Sequence, residues 1–313
     1  MRIRHHRAVA WIAIGLLTAL AAACSSDGDD AGPPDDTEPT TTTTPLAVTR
    51  NMATVVVPTT DPAGYNVYRP ADLTATGAPL PVIVWANGGC FRYDTAWAPL
   101  LESWAAAGFV VVAITSPPGV DDPRTAGMST TDDQAAAIDW ASEQNDTDGG
   151  PYSGRLDLNR VVAAGNSCGG ITTLGLAARD TRVHSVFVLS GSSSFPGSPP
   201  EAAAAVMADI DVPVGYVNGG PEDISTANIE QDYGLLPVGV AAYWAHRSTA
   251  THQVVSTDPA VLTEVAEIST NWIDFTLYGN PELETTLLQD PCGSCAAGTW
   301  TTASKNLDLL VSG

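Results

Sequence analysis

Gly165-Asn166-Ser167-Cys168-Gly169 sets a serine between two glycines, directly after the apolar run 160–164 and before a helix-like stretch, 171–179. Gly-x-Ser-x-Gly between a strand and a helix is the pattern that holds a serine hydroxyl out of a sharp turn as a nucleophile. The turn demands small neighbours, because a backbone folded that tightly leaves no room beside it for side chains. A serine hydroxyl attacks poorly at neutral pH unless a base takes its proton and an acid holds that base in one tautomer. Asp223 is the candidate acid: it ends the tight loop Asn218-Gly219-Gly220-Pro221-Glu222-Asp223 after the apolar run 212–217, with Glu222 as the neighbouring alternative. His252 is the candidate base, in the loop between the final strand, 238–244, and the last helix. His246 competes with it but lies at the strand end, where a ring packs or caps. His5 and His6 belong to the N-terminal leader, and His184 opens a strand. The chain order Ser167, Asp223, His252 is the one used by hydrolases built on a doubly wound sheet.

Attack on an ester carbonyl creates a negative oxygen, which backbone N–H groups fixed in advance stabilise. Cys168, directly after the nucleophile and at a helix N-terminus, is expected to supply one donor. Asn87-Gly88-Gly89-Cys90-Phe91, after the run 82–85, is expected to supply the other, with Gly89 and Cys90 as candidates. Leaving Cys24 aside, Cys90, Cys168, Cys292 and Cys295 form an even set with three possible pairings. Cys90 and Cys168 flank the same oxyanion position, so a disulfide between them is expected. Cys292-Gly293-Ser294-Cys295 lies in a Gly-, Ser- and Thr-rich stretch with no strand before it or helix after it. It reads as a local structural clip, not a redox site.

The elements that must carry these groups are legible as apolar runs at 54–57, 81–86, 109–115, 160–164, 183–190, 212–217 and 238–244. Several are continuous, not alternating, as in parallel strands buried on both faces. Helical stretches alternate with them, at 96–107 and 131–143. The last helix is the clearest: Asp258 caps it, Pro259 takes the first turn, and Val261, Val265, Ile268, Trp272 and Phe275 make one apolar stripe. Gly279 and Pro281 stop it. Segments 54–57 and 64–69 are expected to form an antiparallel edge. The fold class implied is α/β: a mostly parallel, doubly wound sheet of about eight strands with helices on both faces. The stretch 191–211 is too short for a large lid domain, so an open cleft is expected. Phe91, Tyr93, Phe195 and Trp244 are candidates to border it, each equally readable as a packing aromatic.

Trp85-Ala86-Asn87-Gly88-Gly89-Cys90, Gly165-Asn166-Ser167-Cys168-Gly169-Gly170 and Gly219-Gly220-Pro221-Glu222-Asp223-Ile224 together resemble the α/β-hydrolase superfamily. The chain is most similar to its exported esterases, the dienelactone-hydrolase and cutinase-like polyester-hydrolase branch, over about residues 55–279. The resemblance implies Ser167 as nucleophile, Asp223 as acid and His252 as base. Two departures stand out: Asn87-Gly88-Gly89-Cys90 replaces the His-Gly-Gly-Gly of many esterases, and Gln253 follows His252 where Gly is expected.

Composition bounds the partners. The chain has 313 residues and a net charge of −22, which falls to about −25 once Arg2, Arg4 and Arg7 of the leader are removed. That excludes nucleic acid as a partner through a basic face, and Lys305, the single lysine, excludes a Walker-type phosphate loop. Histidines are too few and scattered for a zinc site, and Asp146-Thr147-Asp148-Gly149 reads as a solvated turn, so neither metal nor organic cofactor is expected. Residues 1–23 read as a signal peptide of lipoprotein type: a basic start and an apolar stretch too short to span a membrane, ending in Leu20-Ala21-Ala22-Ala23-Cys24. Cys24 would be lipidated and give the only membrane attachment. Residues 24–46 form an acidic, Thr- and Pro-rich tether, 47–290 the hydrolase domain and 291–313 a C-terminal tail holding the Cys-x-x-Cys clip. The expected protein is an exported monomer anchored at a bacterial cell surface, hydrolysing an ester of unspecified size through an acyl-enzyme. An acyltransferase using the same triad and a non-catalytic binding protein are the alternatives.

Overall fold

Long β-branched runs broken by turn residues fold here into a single sheet. The computed structural model describes residues 51–311 apart from 121, 123, 294 and 297; the leader, Cys24 and the tether lie outside the described residues. In chain order the elements are β1 (Thr54–Thr60), β2 (Ala63–Pro70), β3 (Leu80–Ala86), α1 (Ala98–Ala106), β4 (Val110–Ile114), α2 (Thr131–Asp146), β5 (Leu156–Asn166) and α3 (Cys168–Ala177). There follow β6 (Val183–Leu189), α4 (Pro200–Met207), β7 (Val214–Gly219), α5 (Thr226–Leu235), β8 (Ala242–Arg247), α6 (His252–Thr257), α7 (Pro259–Tyr278), α8 (Pro281–Gln289), β9 (Trp300–Lys305) and α9 (Asp308–Val311). Across the sheet the order is β1-β2-β4-β3-β5-β6-β7-β8-β9. The six strands from β4 to β8 in that order run parallel; the β1–β2 hairpin and β9 are antiparallel edges.

Each parallel strand sends alternate residues to two cores. Ile83 and Trp85 of β3 join Leu100 and Trp104 of α1 and Ile268 and Trp272 of α7 on one face. Val82, Val84 and Ala86 join Ile138 of α2, Leu174 of α3 and Ile229 of α5 on the other. Helices on both faces explain why these strands are apolar throughout. On α7 the stripe Val261, Val265, Ile268, Trp272 and Phe275 is buried, the Asp258 carboxylate accepts from the Ala260 and Val261 N–H groups, and Gly279 closes the helix at φ 64°.

Among the strands, three differ most from the sequence reading. The strand expected at 238–244 is Ala242–Arg247, because Pro237 and Gly239, the latter at φ 97°, turn the chain and leave Val238 fully exposed. The strand expected at 160–164 extends to Leu156–Asn166. The segment expected as a tail, 291–313, instead contains β9, which pairs with β8 from Arg247↔Trp300 to Ala242↔Lys305 and brings the sheet to nine strands. An edge strand half open to solvent can be Thr-rich, so it lacks the apolar run that marks a central strand.

Candidate active site

The turn that carries Ser167 is built by close backbone approach. A Cβ on Gly165 would lie 2.5 Å from the Gly169 carbonyl oxygen, and one on Gly169 would lie 2.2 Å from the carbonyl oxygen of Ala86. Both glycines are therefore required where β5, α3 and the end of β3 converge. Ser167 itself sits at φ 51°, ψ −118°, a strained conformation for a residue with a side chain, held by its N–H donating to the Leu189 carbonyl at 2.9 Å.

His252 opens α6, a short helix where the sequence reading placed a loop. Its Nε2 lies 3.0 Å from Ser167 Oγ and its Nδ1 lies 2.8 Å from Asp223 Oδ1. Asp223 is 3% exposed while Glu222 beside it is exposed, which separates the two acid candidates by position. Its carboxylate also accepts from Ser225 N–H and Oγ on Oδ1, and from Gly219 N–H and Ser190 Oγ on Oδ2. Burial pushes the Asp223 carboxyl up, but the bonds from His252, Ser225 and Gly219 together outweigh it and hold it at about 2. An ionised, acceptor-only carboxylate puts the proton on Nδ1, leaving the Nε2 lone pair for the serine hydroxyl, which donates. His246 lies inside β8 with its ring centroid 5.5 Å from that of Trp244, and burial lowers its pKa.

Cys168 is the first residue of α3, so its N–H has no acceptor within the helix. Gly88–Cys90 forms a single 3₁₀ turn with Gly89 at φ 65° and Cys90 at φ 53°. Cys90 and Cys168 are joined by a disulfide with Cα atoms 5.2 Å apart, and Cys292 is bonded to Cys295.

A family model for PET hydrolase-like proteins matches residues 27–194, more than half of the chain. The chain belongs to the PET hydrolase-like family. Carboxylesterase 3 of Pongo abelii is 34% identical over 142 residues, covering 42% of this chain and 24% of that protein. The chain thus aligns with about a quarter of that relative's length. The family match takes in Ser167, Cys168 and the 87–91 loop and ends before Asp223 and His252.

In this PET hydrolase-like chain a cleft of about 110 Å³ opens beside Ser167 and His252, walled by Ile171, Ser192, Phe195 and Ile224 among others. Phe195 and Ile224 are 54% and 65% exposed, an apolar rim beside the Ser167 hydroxyl. Phe91 and Tyr93 are each 43% exposed on the segment after the glycine pair, whereas Trp244 packs on Tyr233 and donates to Asn218 Oδ1. Among the described residues no group of three His, Cys, Asp or Glu side chains is placed to hold a metal.

Ser190, Ser225 and Asp232 escaped the sequence reading. Ser190 follows β6 at φ 44° and Ser225 lies two residues past the acid. Asp232 of α5 anchors the cleft-wall segment from below, accepting from the Ser193 N–H at 2.5 Å and Ser193 Oγ at 2.6 Å. The available signal was position: Ser190 stands at the carboxyl end of a parallel strand, where sites on such sheets gather.

Proposed function

We propose that this protein is an exported serine carboxylic ester hydrolase acting through an acyl-enzyme on Ser167. The observation that carries the reading is the unbroken hydrogen-bonded row Ser167–His252–Asp223 in a strained strand-to-helix turn. The family match and the carboxylesterase named above support it. Export is supported by two disulfides and by the leader-like N-terminus.

In the proposed reaction Ser167 Oγ attacks the ester carbonyl as its proton passes to His252 Nε2. The carbonyl oxygen becomes an anion facing the Cys168 N–H and an N–H of Gly89 or Cys90. Collapse expels the alcohol, which takes the proton from Nε2, and leaves the acyl group on Ser167. Water then repeats the sequence, giving its proton to Nε2 and releasing the acid. Asp223 stays ionised and holds the imidazolium that forms twice per turnover. The cleft accommodates a small acyl unit, and its open, apolar rim leaves the remainder of a larger ester outside.

Aryl and polymeric esters of graded acyl length, assayed on wild type and Ser167→Ala, test the proposal. The variant is expected to lose activity by at least about 10⁴-fold, and a phosphonate ester should modify Ser167 alone. Retention of activity by Ser167→Ala would overturn the assignment.

A further inference from the structure

We infer that the Cys90–Cys168 disulfide is a positioning element for catalysis, setting the spacing of the two backbone donors that receive the oxyanion. The inference rests on the hydrolase reading above and extends it.

The bond does not merely lie near the site. Its two ends are the residues whose own amides are the candidate donors, 78 positions apart in sequence. Gly88 also packs against Asn166, and Gly169 against the Asn87 carbonyl, but the disulfide is the covalent tie between the donor loop and the serine turn. Asn87 Nδ2 donates to the carbonyls of Phe91 and Ile114, and Asn87 Oδ1 accepts from Trp85 Nε1, which fixes the loop's two ends. At its middle, the Cys90 carbonyl accepts from Ser129 N–H at 2.8 Å and from Ser129 Oγ, anchoring the peptide after Cys90 to the segment before α2. The N–H groups of Gly89 and Cys90 belong to the peptides before that anchor. They lie in a stretch where both residues have positive φ, which Cys90, unlike glycine, adopts only against a steric penalty. The covalent link from the Cys90 side chain to the first residue of α3 opposes relaxation of that stretch. Because α3 begins directly after Ser167, the same link references both donors to the attacking oxygen.

Donors aimed at a developing charge act only when their geometry is set beforehand, and removing one typically costs 10²–10³ in kcat. Opening the disulfide displaces a donor without deleting it, so the expected loss is about 10- to 100-fold. The loss should fall on kcat, because the bound ester carbonyl has not yet developed the charge that these amides receive.

The test compares Cys90→Ala/Cys168→Ala with Cys292→Ala/Cys295→Ala, which removes the other disulfide, on a short-chain nitrophenyl ester well below either variant's Tm. Expected is a kcat lower by about 10- to 100-fold with KM changed less than about twofold in the first variant. A boronic acid that forms a tetrahedral adduct on Ser167 should bind more weakly by the same factor. The second variant should match wild type. If the first variant does not fold, the folded wild type is treated with dithiothreitol, which gives two electrons and two protons to the disulfide and closes to its own cyclic disulfide. Alkylation and mass mapping of one aliquot then show that Cys90 and Cys168 are free thiols. The unalkylated remainder should show the same kcat loss, recovered on reoxidation. Wild-type kcat with the Cys90–Cys168 bond absent, in either preparation, overturns the inference. With Ser167→Ala inactive, that outcome leaves the hydrolase assignment standing.

Discussion

Asp232 predicts a measurable dependence of stability on pH. It lies on α5 with no solvent exposure, and Ser193 supplies its two hydrogen bonds. Burial pushes its carboxyl up and the Ser193 bonds offset only part of that, leaving it at about 6 against an ordinary 3.8. A displacement of that size favours the protonated form in the folded state by about 3 kcal/mol. Because the folded value lies above the unfolded one, this contribution to stability is complete below about pH 4. It is lost as the pH rises through about 6. Asp232→Asn removes the titration while keeping the shape of the side chain. Urea unfolding of both proteins from about pH 4 to about pH 8 isolates the effect, since groups common to both cancel in the difference. The stability of wild type relative to the variant should fall by about 3 kcal/mol as the pH rises from about 4 through about 6, and level off above that. Asp223 titrates in the opposite sense between 3.8 and about 2 and is shared by both chains, so it does not distort the comparison. A difference that stays constant with pH would refute the reasoning. It would mean that the α5 carboxylate is solvated in the folded protein and does not hold the cleft wall through a desolvated pair of bonds.

Two further perturbations test other parts of the site. Asp223→Asn should keep the fold near neutral pH but present His252 in the wrong tautomer, lowering kcat on the order of 10⁴-fold; a loss below tenfold, read by steady-state assay, would detach the acid from the mechanism. Gly169→Ala drives a methyl group to 2.2 Å from the Ala86 carbonyl oxygen, a backbone atom that cannot step aside. The variant should yield little folded protein by size exclusion and circular dichroism, and a Tm near that of wild type would disprove the close approach.

What the sequence makes legible divides along physical lines. The nucleophile turn is readable because its steric demand is written as glycine at 165 and 169, a local requirement with a local signature. The stripe on α7 is readable because burial on one helical face repeats with a fixed period. His252 and Asp223 are readable by their place after strands, since parallel sheets gather functional groups at one edge. β9 is not, because Trp300-Thr301-Thr302-Ala303 becomes a strand only when the β8 edge is there to pair with it. The start of β8 is not legible either, because Val238 looks like strand material yet is carried outward by the Pro237–Gly239 turn. Ser190, Ser225 and Asp232 carry no pattern of their own. Their roles come from tertiary neighbours, which a serine or aspartate in a loop does not announce.

The hydrogen bonds around Asp223 show why the sheet order matters to the site. They arrive from the end of β6 through Ser190, from the end of β7 through Gly219, from the following loop through Ser225 and from α6 through His252. His252 is 85 residues from Ser167 and 29 from Asp223, so their alignment depends on how firmly adjacent strands are spaced. One side chain spans the strands that matter most. Trp272 of α7 donates its indole N–H to the Val186 carbonyl of β6 at 3.0 Å, and it fills the space left by the missing side chain of Gly215 on β7. A Cβ at Gly215 would lie 2.5 Å from the indole nitrogen, so the helix, β6 and β7 interlock at that point. The clearest helix in the sequence therefore does more than cover the sheet. Through Trp272 it sets the relation between the strand that leads to Ser190 and the strand that leads to Asp223, and the geometry of the Asp223 carboxylate is a consequence of core packing well below the Ser167–His252–Asp223 row.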